Sequence, residues 1–437
     1  MNRRDFLKAT LVGGTALACP SWLEGLSDKL ASRPNIVLIM ADDLGLETLG
    51  CYRGKDYQTP HLDALASRGV RFTHCHSQPL CTPSRVQLMT GRYNHRNYQG
   101  FGYLDPQEVT FSNLLQSAGY RTCIAGKWQL CGDAETVRGF GFDDFCLWNM
   151  HRYREGTRNA KEPESWKKRY ASPTLYENGQ WTEHSEGIYG PDVCCDFVCS
   201  FIEKHRKQPF LVYYPMILTH TPFVPTPDSI DQAESNKKRN FGDMVRYMDK
   251  IVGKIVSQLE KQGILDNTLL LFTGDNGTHP SITSLTETGT VKGGKSKTID
   301  SGTHVPLIAS WPGTAPPGRV VDDLVDFSDF LPTLCEAAGC AQPEDRVIDG
   351  RSFFPQLQGK KGFPREWIYC HYWERGRVKE RTREFVRDKR WKLYDNGQLF
   401  DTASDALEQT PLVELNEEAL EAQERLRKAF AAVRKKQ

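Results

Sequence analysis

With 437 residues the chain is long enough for one large domain with an appendage, or for two domains. Its 56 lysines and arginines against 55 aspartates and glutamates leave a formal charge of +1, which excludes a nucleic-acid binder working by bulk charge. A mean hydropathy of -0.54 and no internal apolar run of spanning length exclude a membrane-embedded body, so no transmembrane segment is expected in the mature chain.

The first 32 residues read differently from the rest. Asn2-Arg3-Arg4-Asp5-Phe6-Leu7-Lys8 precedes the apolar run Ala9 to Ala18, the pattern of a twin-arginine export signal. Residues 1–32 are therefore expected to be signal and linker, with the twin-arginine translocase as a partner and the periplasm or the extracellular space as destination. Ala16-Leu17-Ala18-Cys19 carries a weak trace of a lipoprotein cleavage site, made weaker by Pro20. The 13 cysteines are scattered, with no C-x-x-C, which argues against a structural zinc site. Twin-arginine substrates fold before export, in a reducing cytoplasm, so most of these thiols should be free, small, buried apolar groups.

Pro34 to Ala41 is a continuous apolar run rich in β-branched residues, which predicts a strand buried on both faces and ending at Asp42-Asp43. Thr59 to Ala66 predicts a capped helix with Pro60 in its first turn. Val70 to Phe72 predicts a short strand leading to the Cys81 loop, and Arg85 to Met89 the start of a helix that places Cys81 near its N-terminus. Phe111 to Ala118 predicts a helix, and Tyr120 to Ala125 a strand running into Gly126-Lys127-Trp128. Asp192 to His205 predicts a helix, Pro209 to Met216 a buried strand running up to His220, and Phe241 to Lys261 a long amphipathic helix. Thr268 to Phe272 predicts a strand ending at Asp275-Asn276, and Val305 to Trp311 another. This alternation predicts an α/β fold with a large, mainly parallel sheet between helices. Beyond Gly339 the texture becomes shorter and more polar. Strands at Trp367 to Tyr372, Glu384 to Arg387 and Trp391 to Tyr394, with a charged helix at Asn416 to Arg434, predict a small C-terminal antiparallel sheet with one helix. The expected division is 33–345 for the main domain and 346–437 for the small α+β subdomain.

Polar residues collect just past the ends of these strands, where open α/β sheets place their ligands. Taken singly, Asp-Asp or Asp-Asn-Gly reads as a turn. Asp42, Asp43, Asp275 and Asn276 together offer three carboxylates and an amide oxygen, a set that repels itself unless a hard divalent cation binds.

Cys81-Thr82-Pro83-Ser84-Arg85, running into Thr90-Gly91-Arg92, resembles the signature of the formylglycine-dependent sulfatases of the alkaline-phosphatase superfamily. The resemblance extends from about Pro34 to Leu357, through T-P-H-L-D-A-L-A at 59–66, G-K-W at 126–128, G-F-D at 141–143, G-D-N-G at 274–277, G-G-K at 293–295, D-F-L-P-T-L at 329–334 and D-G-R-S at 349–352. It implies an alkaline-phosphatase-like fold and hydrolysis of a sulfate ester, with a sulfated sugar as the favoured substrate. It further implies that a formylglycine-generating enzyme oxidises Cys81 to 3-oxoalanine (formylglycine), whose hydrate attacks sulfur. Asp42, Asp43, Asp275, Asn276 and the modified Cys81 would hold the metal, usually Ca²⁺, with Mg²⁺ as the other hard candidate. Arg85 would orient the nucleophile, Lys127 and Lys295 would stabilise the sulfuryl oxygens, and His220 would protonate or hydrogen-bond the leaving alcohol. The family histidine after G-K-W is here Gln129, a substrate-binding candidate that hydrogen-bonds but cannot take a proton near neutral pH, so either His279 or a water serves as base or turnover is slow. The family arginine near Val305 is here His304, and Asp300 stands where glutamate is common; both read as framework. His151, Arg152, Trp373, Arg375 and Arg377 are candidate sugar contacts. Two other readings stay open: a phosphonate monoester or phosphodiester hydrolase with the same nucleophile, and a catalytically silent protein that binds sulfated glycans.

Overall fold

The computed structural model describes residues 33–148, 150, 168–373 and 382–435. The expected export signal at 1–32 and the candidate contacts His151, Arg152, Arg375 and Arg377 lie outside the described residues.

The apolar run at the start forms β1 (Asn35–Ala41), buried at every position. Its side chains alternate between two cores: Ile36, Leu38 and Met40 on one face, Val37, Ile39 and Ala41 on the other. Each fully buried aliphatic residue there contributes about 1.5–3 kcal/mol, and this two-sided burial is what fixes β1 in the middle of a sheet. The sheet's further strands are β2 (Val70–His76), β3 (Arg121–Lys127), β4 (Asp144–Trp148), β5 (Thr174–Glu177), β6 (Gln180–Glu183), β7 (Phe210–Pro215) and β8 (Thr268–Gly274). A separate hairpin, β9 (Thr283–Thr286) with β10 (Gly289–Lys292), precedes β11 (His304–Ser310) and β12 (Arg319–Asp326).

The ten strands lie in the order β12-β2-β11-β8-β1-β7-β3-β4-β5-β6. From β8 to β4 neighbours run parallel, and β12 is parallel to β2, whereas β11 is antiparallel to both β8 and β2. The expected large, mainly parallel sheet is thus what forms, with an antiparallel β5–β6 edge. Helices Pro60–Arg68, Gly190–His205 and Lys237–Lys261 cover the Val37 face, and Cys81–Thr90, Phe111–Ser117 and Phe330–Ala338 the Ile36 face.

The polar C-terminal stretch forms the expected antiparallel sheet, β13 (Ile368–Tyr372), β14 (Arg383–Arg387), β15 (Trp391–Tyr394) and β16 (Leu399–Asp401). Helix Glu417–Lys435 packs Ala422, Leu426 and Val433 against Val386, Trp391 and Leu393 on one face. The other face lays Cys370, Tyr372 and Phe385 on Leu80 and Cys81. The small sheet therefore walls the loop that carries Cys81. The twelve cysteines of the described residues are free, and eight of them are buried. No described helix is long and apolar enough to cross a membrane.

Candidate active site

Strand register builds the site. Ala41 of β1 pairs with Gly274 of β8, so Asp42 and Asp275 follow side by side beyond the strand ends. The Asp43 amide donates to Asp275 Oδ1 at 3.0 Å, and Asn276 Nδ2 donates to Asp43 Oδ1 at 2.9 Å. Asp42, Asp43, Asp275 and Asn276 are all fully buried.

Three cationic side chains answer these carboxylates. Lys127, at the end of β3, donates to both oxygens of Asp42 at 2.9 and 2.8 Å. Gly126 precedes it at φ 111°, where a Cβ would lie 2.0 Å from the Pro215 carbonyl, so only glycine brings β3 this close to β7. Lys295 donates to Asp43 Oδ2 at 2.6 Å from the mouth of the site. Arg85 donates to Asp275 Oδ2 at 2.8 Å and to the Lys127 carbonyl at 3.0 Å. Its Nε is buried with no partner, a donor left over for whatever enters.

Cys81 is the first residue of helix Cys81–Thr90, a turn earlier than the sequence suggested, and its thiol is 1% exposed. Burial pushes the thiol up, while Lys127 and Lys295 pull it down and Asp275 and Asp42 push it further up. Burial and then the adjacent Asp42 raise Asp275 to about 6, against the pull of Arg85. Asp43 is equally buried, but Lys295, His220 and Lys127 together hold it well below the usual carboxylate range. Burial pulls His220 down to about 3, with Lys127 and Lys295 adding to it and Asp43 opposing. His220 Nδ1 lies 2.8 Å from the Thr221 carbonyl, an acceptor, which places the ring proton on Nδ1 and leaves Nε2 an acceptor 3.8 Å from Asp43 Oδ2.

The donor set fits a hard cation. Asn276 Oδ1 is buried without a hydrogen-bond partner, because Nδ2 already engages Asp43 and the Gly277 carbonyl. One orphaned amide oxygen beside three carboxylates suits Ca²⁺ or Mg²⁺ and supplies no soft ligand.

Gln129 lies 7% exposed at φ 56°, and Thr82 Oγ1 approaches its Oε1 at 3.4 Å, so it flanks the helix end that carries Cys81. His279 lies at the rim, with Nδ1 2.8 Å from Ser281 Oγ. His304 and Asp300 pair at 3.0 Å, and Arg387 of the small sheet joins Asp300. Trp373 packs edge-on against Tyr98.

The sequence reading missed Arg169, whose Nη2 lies 3.4 Å from His220 Nδ1 and whose guanidinium stacks on Trp148. It follows Lys167 and Lys168 in sequence, and a short basic run of this kind reads as a solvated loop rather than a site. It lines a cavity of about 570 Å³ with Tyr170, Tyr189, Pro222 and Val224, on the His220 side of the site.

The family model described as Sulfatase matches residues 34–340, and that described as N-sulphoglucosamine sulphohydrolase, C-terminal, matches 295–436. The steryl-sulfatase of Rattus norvegicus is 30% identical over 423 residues, covering 78% of this chain and 73% of that protein. The N-acetylgalactosamine-6-sulfatase of Canis lupus familiaris is 33% identical over 353 residues, covering 75% of this chain and 66% of its own. The crystal structure of Ps i-CgsB superposes with a TM-score of 0.77 at 28% identity, covering 93% of this chain and 94% of that one. The same protein in complex with k-i-k-neocarrahexaose superposes equally well, at 26% identity.

Proposed function

The chain belongs to the sulfatase family and is a sulfuric ester hydrolase, and from that premise we propose that it releases sulfate from a sulfated sugar with an oxidised Cys81 as nucleophile. One observation carries this reading. Three buried carboxylates are balanced by Arg85, Lys127 and Lys295 around the first turn of the Cys81 helix. A bound dication leaves this pocket net positive, which suits an anionic sulfate ester.

Asp42, Asp43, Asp275 and Asn276 would hold the cation, with the modified side chain at 81 completing the set. The cation supplies positive charge against the sulfate oxygens. The aldehyde hydrate supplies one hydroxyl as nucleophile and a second whose ionisation expels sulfate. Arg85, held by Asp275 and the Lys127 carbonyl, aims its unpaired Nε at the reacting group. Lys127 and Lys295 are fixed before substrate arrives, so they stabilise sulfuryl charge without reorganising. His220, its Nδ1 against the Thr221 carbonyl, would protonate or hydrogen-bond the departing oxygen through Nε2. Gln129 hydrogen-bonds but takes no proton, so the release step relies on His279 or water and runs more slowly for it. The aromatic and basic cavity beside His220 suits a sugar ring.

The first 32 residues direct the folded chain through the twin-arginine route to the periplasm or beyond. Residues 33–345 form the catalytic domain and 346–437 the subdomain that covers Cys81. Gln129 also motivates a second reading, a silent protein that binds sulfated glycans. Turnover of a sulfated oligosaccharide, an aryl sulfate, a phosphonate monoester and a phosphodiester, compared on Ca²⁺-loaded enzyme, tests the proposal. Sulfate release with the highest kcat/KM on the sugar is expected. Faster phosphonate or phosphodiester turnover overturns it, and tight glycan binding without released sulfate establishes the silent binder.

A further inference from the structure

A second cluster of metal-binding side chains lies away from the nucleophile, where the sheet turns antiparallel. His74 and His76 sit two residues apart on β2, so both project to one face, and His304 on β11 is in direct register with His76. One ligand nitrogen from each ring falls within 4.8 Å of the other two. A His-x-His strand with a third histidine across the ladder brings three imidazoles together, here with His74 and His76 each stacked on His304.

Four further observations bear on a ligand. His76 is 1% exposed, yet neither of its nitrogens has a hydrogen-bond partner, and His74 Nδ1 is buried and equally unpaired. Buried polar atoms left this way are costly unless something binds them. His74 Nε2 meets Asp322 Oδ1 at 3.1 Å, leaving Nδ1 unpaired, and His304 Nδ1 meets Asp300 Oδ2 at 3.0 Å, so a carboxylate orients each of these two rings. The surrounding charge is balanced, since Asp300 pairs with Arg387 and Asp322 with Lys389 at 2.5 Å. His74 and His304, 22% and 15% exposed, leave an entry path.

We propose that His74, His76 and His304 form a transition-metal site, with Zn²⁺ as the chemically matched ion. Neutral imidazoles favour zinc, copper or nickel over the hard cations that suit the carboxylate cluster. At Zn–N distances of about 2.0–2.1 Å, ligand nitrogens stand about 3.4 Å apart. Binding therefore draws the rings together out of their present stack, with His76 and His304 centroids 4.5 Å apart. His304 Nε2, now donating to the Thr73 carbonyl at 2.7 Å, releases that proton to solvent as it takes the metal, so binding is expected to weaken as pH falls. The ion would clamp β2, which leads into the Cys81 loop, to β11, which follows the Lys295 segment.

The test uses the full, untagged chain, stripped of metal, saturated with Ca²⁺, and titrated with Zn²⁺ against a chromophoric chelator. One zinc equivalent is expected, weakened about 100-fold or more in H74Q and retained in D43N. Co²⁺ should give the visible absorption of a low-coordinate site in wild type and lose it in H74Q. His74 is the most exposed of the three, so H74Q is the informative variant if H76Q fails to fold. No zinc binding under Ca²⁺, or unchanged affinity in H74Q, overturns the proposal.

Discussion

Replacing Lys295 by methionine should move three quantities in directions that a merely structural lysine would not. In metal-free protein the substitution leaves Asp43, fully buried, without the ammonium now 2.6 Å from Oδ2. Breaking a buried pair in this way costs about 3–5 kcal/mol. The Asn276 donor at 2.9 Å remains, which places the loss at the lower end. Turnover should fall about 10²–10³-fold, as expected when a preorganised charge is removed from a developing anion. Cation affinity should rise, because the ammonium no longer competes for Oδ2; relief of even about 1.4 kcal/mol of repulsion is tenfold in binding. Denaturant unfolding of the metal-free form, kcat/KM on a sulfate ester, and calorimetric Ca²⁺ titration give the three values. Turnover within a few-fold of wild type, or weaker Ca²⁺ binding, would refute the assigned role.

Gln129→His restores a proton acceptor beside Thr82 and should raise kcat by about 10²-fold, the low end for an added general base, with KM little changed; steady-state kinetics on one sulfate ester decide it. Arg85→Lys keeps the charge but cannot span both Asp275 and the Lys127 carbonyl, so unfolding stability should drop by about 3 kcal/mol and activity should be lost. His95 is held down to about 4 by burial first and by Arg96 next. A group whose folded value lies below its unfolded one contributes stability above pH 6.5 and loses it as pH falls toward 4. Stability should therefore decline across that window in wild type and less steeply in H95N, measured by urea unfolding at several pH values. A chelator should abolish sulfate release, and added Ca²⁺ should restore it and raise Tm.

The parallel heart of the fold was legible because each strand is a continuous apolar run, as in Asn35–Ala41 and Thr268–Gly274, that only two-sided burial explains. The edges were not. Strands β9 and β10 are mostly exposed and polar, so they carry no apolar signal. The β5–β6 hairpin did carry one, the Asn178-Gly179 turn with both residues at positive φ, set between short strands of mixed polarity. The site's convergence follows from Ala41 pairing with Gly274, which places the acidic pairs at 42–43 and 275–276 side by side. Strand-end position alone signals that pattern. Arg169 against His220 and Arg387 against Asp300 join residues 51 and 87 positions apart, and nothing local marks either contact.

The central claim is that Cys81 is not a cysteine in the active enzyme. Mass analysis of the tryptic peptide Phe72 to Arg85, from protein purified from its native host, tests this most directly, with Cys75 in the same peptide as an unmodified thiol for comparison. The account predicts a peptide lighter by conversion of one thiol to an aldehyde, located at position 81 by fragmentation. An intact thiol at Cys81 in protein that releases sulfate at full rate would contradict it.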